Sequence, residues 1–175
     1  MKTLKNLFLL LLSISMFTLT SCSSDDDGGS NGGASSGTIS AKVDGSNFSS
    51  LEISSSATIA NNGLNLIIIG SNSSGKAITL TINGYEGVGT YEISGGNIFV
   101  ASASYSETDV SNPTNPSTET WQSPYEDSIL GEINISEETD TKIKGTFSFM
   151  CKNTLNDNSI KDITDGSFNL DKQVL

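Results

Sequence analysis

Two cysteines, twenty carboxylates and one tryptophan are the side chains with chemistry to offer in this 175-residue chain. There is no histidine and no arginine; all nine basic residues are lysines. Without an imidazole, no Ser–His–Asp or Cys–His pair can form, because no other ordinary side chain titrates near neutrality to take a nucleophile's proton. Zinc loses most of its usual ligands for the same reason. Paired carboxylates could serve a glycosidase, but that requires two of them about 5–10 Å apart across a cleft. Glu137, Glu138 and Asp140 instead fall in one turn signal, where carboxylates face water. Calcium accepts carboxylate oxygens, yet no Asp-x-Asx-x-Asx-Gly loop occurs. The residues call for no catalytic group, no metal and no cofactor, and the chain reads as a non-enzyme.

Cys22 is the exception. Lys2 and Lys5 precede an apolar run from Leu7 to Leu19. Thirteen residues are too few to span a bilayer, which takes roughly 20. A basic start and a short apolar stretch read as a secretory signal over residues 1–21. The run ends in Leu19-Thr20-Ser21-Cys22. That ending resembles the lipobox of bacterial lipoproteins, and the resemblance implies acylation of Cys22 as the new first residue. Asp25-Asp26-Asp27 follow directly. Their position resembles the export signal that sends lipoproteins of Bacteroidetes-type bacteria to the outer leaflet of the outer membrane. The expected location is therefore the outer membrane, lipid-anchored and exposed at the cell surface.

Removing residues 1–21 leaves seven lysines against twenty acids, a net charge of −13. A nucleic-acid binder needs the opposite sign. Residues 22–37 hold the lipidated cysteine and a run of Ser, Gly and Asp with nothing apolar larger than Ala34. This composition reads as a tether with a reach of roughly 20 Å.

From Thr38 to Leu175 the pattern has a period of two. Ile78, Leu80 and Ile82 alternate with Ala77, Thr79 and Thr81; Ile143, Gly145, Phe147, Phe149 and Cys151 alternate with more polar residues. A third set, Ile129, Gly131, Ile133 and Ile135, alternates with Leu130, Glu132 and Asn134. Asn61-Asn62-Gly63, Asn83-Gly84 and Gly95-Gly96-Asn97 mark turns. The spacing predicts strands near 38–43, 51–60, 64–70, 76–82, 89–93, 98–105, 128–136, 142–152 and 162–170. An all-β antiparallel sandwich of about eight or nine strands follows, with a flattened lipocalin-like barrel as the alternative. The run Leu64 to Ile69 is nearly all apolar, which predicts a central strand covered on both faces. Gly145 and Gly166 read as protection for sheet edges. Cys151, left without a disulfide partner, reads as a small buried hydrophobe.

Residues 106–127 are long for a hairpin connection and contain Pro113, Pro116, Pro124, Trp121 and Tyr125. Trp121 and Tyr125 are the candidate ligand contacts: an indole offers a flat apolar face to a sugar or a protein. The competing reading folds Trp121 back as a cap on the sandwich edge. Asp127-Ser128-Ile129 resembles the Asp-Ser/Thr-apolar site of protein O-glycosylation in Bacteroidetes, making Ser128 a candidate.

Ser40-Ala41-Lys42-Val43-Asp44-Gly45 with Phe48, then Gly89-Thr90-Tyr91, Gly145-Thr146-Phe147-Ser148-Phe149 and Thr164-Asp165-Gly166-Ser167-Phe168-Asn169 form an ordered set. Over roughly 40–170 this set resembles a family of small Bacteroidetes lipoproteins of unknown function, whose members often have Trp where Phe48 stands. The resemblance implies a fold and a location but no reaction. Two expectations stand: a surface module binding glycan or an envelope protein, or an accessory envelope lipoprotein with no soluble ligand. Either meets the membrane through its lipid.

Overall fold

Among the described residues eleven strands follow one another: β1 (Thr38–Val43), β2 (Ser46–Ser49), β3 (Ser55–Ala60), β4 (Asn65–Ser71), β5 (Lys76–Asn83), β6 (Gly89–Ser94), β7 (Ala101–Asp109), β8 (Ser117–Ser123), β9 (Ile129–Glu138), β10 (Lys142–Lys152) and β11 (Ile160–Val174). The computed structural model describes residues 33–96, 100–109, 111 and 114–175. The expectations on Cys22 and on Asp25, Asp26 and Asp27 lie outside the described residues. The fold is all-β, as the period of two dictates.

The strands pair in the order β2-β1-β11-β3-β4-β5-β7-β8-β10-β9-β6, with an added β10–β11 pairing. Two branch points fold this single sheet over on itself. β11 carries β1 on one stretch of its edge and β3 on the next; Lys172, Gln173 and Val174 pair in parallel with Ala57, Thr58 and Ile59. β10 lies between β9 and β11 and touches β8 through one residue pair, Lys152 with Gln122. Closure through a single pair makes the molecule sandwich-like rather than a clean barrel. All its other pairings are antiparallel.

The inward faces form one core. Ile39, Leu66, Ile68, Ile78, Leu80, Ile133, Ile143, Phe147, Phe149 and Leu170 are among its buried members. Three phenylalanines each stand directly opposite a glycine on the neighbouring strand: Phe149 opposite Gly131, Phe168 opposite Gly145, and Phe147 opposite Gly166. A Cβ at any of these glycines would overlap the facing phenylalanine. The missing side chains let the rings lie over the backbone and gather, with Phe147 and Phe168 centroids 6.4 Å apart and Phe147 and Phe149 6.2 Å apart. Gly145 and Gly166 are thus packing sites inside the sheet, not edge guards.

Two further expectations change. β4 has neighbours on both edges, but only its Leu66 and Ile68 face is buried; Ile69 is exposed beside Thr79. Outward β-branched residues against a threonine-rich neighbour gave the run its continuous apolar look. On β9, Gly131 pairs with Ile93 while Ile129 pairs with Ser94, a register shift that leaves Leu130 over. The extra residue inverts the alternation, so that Leu130 is buried and Ile129 exposed. β2 and β8 fall outside the strands that the spacing predicts. Asp44-Gly45, with φ of 49° and 79°, turns β1 into β2 and is the hairpin signal that marks it.

Candidate functional site

The 106–127 segment is not a long loop. β7 continues to Asp109 and β8 begins at Ser117, with ladder pairs from Ala103–Ser123 to Asp109–Ser117. Trp121 lies on β8 opposite Tyr105, is only 3% exposed, and offers no free ring face to a dissolved ligand. Its ring centroid is 5.8 Å from that of Tyr105. Its Nε1–H donates to Ser159 Oγ at 2.8 Å, and Lys161 Nζ lies 5.2 Å from the ring centroid. Lys161 also pairs with Asp44 Oδ2 at 3.2 Å. Asp44 Oδ1 accepts the Asp162 backbone N–H, and that bond, ahead of Lys161, holds the Asp44 carboxyl below its usual range. Trp121 is therefore the cap of one end of the sandwich. The Tyr105 ring beside it, the Lys161 ammonium over it and a partner for the indole N–H fix it there.

A second cluster closes the other end of β10. Tyr85 and Tyr91 stack with centroids 5.9 Å apart. The Tyr85 hydroxyl donates to Glu138 Oε2 at 2.8 Å, and Lys172 Nζ reaches Glu138 Oε1 at 3.0 Å. The Lys172 and Glu138 side chains are 11% and 22% exposed. Burial, helped by the Glu138 hydrogen bond, pushes the Tyr85 hydroxyl well up from its ordinary pKa. Of the turn carboxylates, Glu137 faces outward to Lys144 at 2.9 Å, while Glu138 turns in.

Tyr125 lies just beyond β8 and is half-buried, with Lys152 Nζ 5.9 Å from its ring centroid. Lys152 stands opposite Ile160 on the outer face of β10–β11, two residues from Met150 on the same face. Met150 and Ile160 are both exposed, so the outer face here carries a small apolar patch beside a phenol and an ammonium. Ser128 is exposed in the following turn, its Oγ donating to Glu126 Oε1 at 2.7 Å. The structure separates the two aromatic candidates: Trp121 inside, Tyr125 at the surface. The patch partners Met150 and Ile160 were missed because each lies in a strand whose inward residues dominate the pattern.

Cys151 is fully buried and its thiol is pushed up to about 12, chiefly by burial. A thiolate is the reactive form, so this cysteine is inert at neutral pH. The described lysines have partners too, most of them near the surface. Six form ion pairs, with Asp165, Glu107, Asp171, Glu137, Asp44 and Glu138. The seventh, Lys152, covers Tyr125. Among the described residues, no three His, Cys, Asp or Glu side chains come together to hold a metal ion, and no helix is long and apolar enough to cross a membrane.

A folded-over β sheet with both ends capped by aromatic–lysine–carboxylate clusters defines an all-β, sandwich-like domain. Residues 35–170 match a domain of unknown function, DUF6252, and the chain belongs to that family. No curated protein and no solved structure matches the chain.

Proposed function

We propose that this chain is a lipid-anchored lipoprotein displayed on the outer membrane, and that its folded domain is a non-catalytic binding module. The observation that carries the reading is Leu19-Thr20-Ser21-Cys22 at the end of a 13-residue apolar run, followed after Ser23-Ser24 by Asp25-Asp26-Asp27 and a Ser/Gly run. The commitments inside the domain support it: the remaining thiol is inert, every described lysine is engaged, and no imidazole exists to serve as a base. The surface charge that remains is acidic, because residues 33–175 hold seventeen acids against seven lysines. That balance favours an uncharged or cationic partner, such as a neutral glycan or a basic face of an envelope protein. The contact surface is the outer-face patch of Tyr125, Met150, Lys152 and Ile160.

An accessory role with no soluble ligand is the second reading, and the burial of Trp121 favours it. Adding protease to intact cells tests display. Wild type is degraded, and replacing Asp25, Asp26 and Asp27 with Ala protects the protein; protection of wild type overturns surface exposure. Binding to glycans and envelope proteins, measured with wild type and Tyr125→Ala, tests the patch. Lost binding in the variant supports the module, and no binding by wild type supports the accessory role.

A further inference from the structure

β3, β4, β5, β7 and β8 are consecutive neighbours in the sheet. Alternate residues on each strand are buried, so the residues between them form one continuous outer face. One row across it is Ser56, Ile69, Thr79, Ser104 and Gln122. The next row is Thr58, Ile67, Thr81 and Ser102. No outward position on these five strands, all of them described, holds an Asp, a Glu or a Lys.

The rest of the surface is different. β10 alone turns Lys142, Lys144 and Lys152 outward, and Glu92 stands opposite Glu132 across β6 and β9. Seventeen acids and seven lysines in residues 33–175 thus avoid one whole side of the domain. Charge begins at its borders. The first row ends at Gln122, which pairs with Lys152. Lys76 and Glu107, at one end of the face, share the register of the buried residues and lie 3.9 Å apart. Solubility alone would scatter charge over such a face. The hydroxyls of this face are also unused by the fold. Elsewhere they hold the protein together: Ser40 and Ser167 Oγ lie 2.8 Å apart, and Ser94 Oγ donates to the Asp127 carbonyl at 2.9 Å. Among the described residues, the hydroxyls of Thr79, Thr81, Ser102 and Ser104 have no protein partner.

We propose that this charge-free face binds a neutral polysaccharide. The inference is independent of the lipid anchor and of the Tyr125 patch. Three features select that occupant. An uncharged polymer is not repelled by the acidic domain, whereas a second copy of the chain is, and a basic protein finds no carboxylate here to pair with. Ser and Thr hydroxyls both donate and accept, as sugar hydroxyls do, and such short side chains lose little rotamer freedom when held still. Ile67 and Ile69 add a narrow apolar strip, with Ile69 42% exposed. The C–H face of a pyranose ring packs on such a strip, which is too small to be the core of a protein interface.

The test is native electrophoresis of the full-length protein through gels containing a soluble α-glucan, β-glucan, α-mannan or galactan. A polyoxyethylene detergent, which carries no sugar, keeps the protein in solution, and mobility is read against polymer-free gels. The expected result is retarded migration in at least one neutral polymer and none in polygalacturonate. Thr79→Lys and Thr79→Glu should each weaken binding about tenfold or more, since either charge would be covered by sugar without a partner. Thr146→Lys, on the outer face of β10, controls for added charge and should leave the retardation unchanged. Circular dichroism checks folding, and Ser104→Lys and Ser104→Glu on the neighbouring strand replace any Thr79 variant that unfolds. Unretarded migration of wild type in every neutral polymer overturns the proposal. A dimer in sedimentation that the Thr79 variants dissociate also overturns it, in favour of a second copy. Retardation abolished by Tyr125→Ala and untouched by the Thr79 charges moves the glycan to the Tyr125 patch and overturns this site alone.

Discussion

The two ends of β10 are closed by similar sets of residues used in different ways. At one end Tyr85 stacks on Tyr91 and shares Glu138 with Lys172. At the other Tyr105 packs on Trp121 and gives its hydroxyl to Glu107 at 2.6 Å, while Lys161 lies over the indole and pairs with Asp44. Both ends combine an aromatic pair, a tyrosine–glutamate hydrogen bond and a lysine. They differ in where charge is buried. Lys172 is the most buried lysine side chain in an ion pair, and one carboxylate satisfies both it and Tyr85. At the Trp121 end the charges sit nearer water, and the largest buried object is an indole. One end therefore depends on a single carboxylate and the other on packing.

Substitutions can break that contrast. Trp121→Ala carries the largest expected effect, about 3–5 kcal/mol of lost stability in denaturant unfolding, because it empties a buried ring site. A loss below about 1 kcal/mol would mean that the indole is not a cap. Glu138→Ala should cost about 2–3 kcal/mol, since it leaves the Lys172 ammonium and the Tyr85 hydroxyl without their shared partner. If Glu138→Ala and Glu107→Ala prove equally mild in thermal unfolding, the two ends do not differ as argued. Tyr85→Phe removes one hydrogen bond and keeps the stack, so about 1 kcal/mol is expected.

The smallest effect is electrostatic. The carboxyl of Asp44 titrates below its unfolded value, held down first by the Asp162 N–H and then by Lys161. A depressed folded pKa adds stability above the unfolded pKa and loses it as pH falls through the folded value. Asp44→Asn should therefore flatten the acid side of the stability–pH profile slightly and leave neutral pH nearly unchanged. The effect is small because the side chain is about half exposed to solvent. A steeper acid limb in the variant would contradict the assignment.

How much of this was legible depends on whether the signal was local. β1 and β10 begin and end where their alternation does. The Gly–Phe pairs lie within segments visible in the sequence, Gly145 to Phe149 and Gly166 to Phe168, but the cross-strand register that makes them pairs is not a local property. Polar β8, Ser-Thr-Glu-Thr-Trp-Gln-Ser, sits among prolines and buries only Trp121 and Ser123, so it carries almost no periodic signal. Its strand character comes from β7 beside it. The parallel β11–β3 pairing and the extra residue at Leu130 are likewise set by tertiary contacts. Of the candidate site, Tyr125 could be read as a surface residue. Trp121 could not be read as buried, because the residues that cover it, Tyr105, Ser159 and Lys161, lie far away in sequence.

The central claim is the proposed lipid anchor, because the proposed display at the surface rests on it. Intact-mass analysis of the mature protein purified from its native membrane tests it most directly. The account predicts a chain beginning at Cys22 whose mass exceeds that of the bare polypeptide by its acyl groups. A mature chain with an unmodified Cys22, or one starting elsewhere, would contradict it.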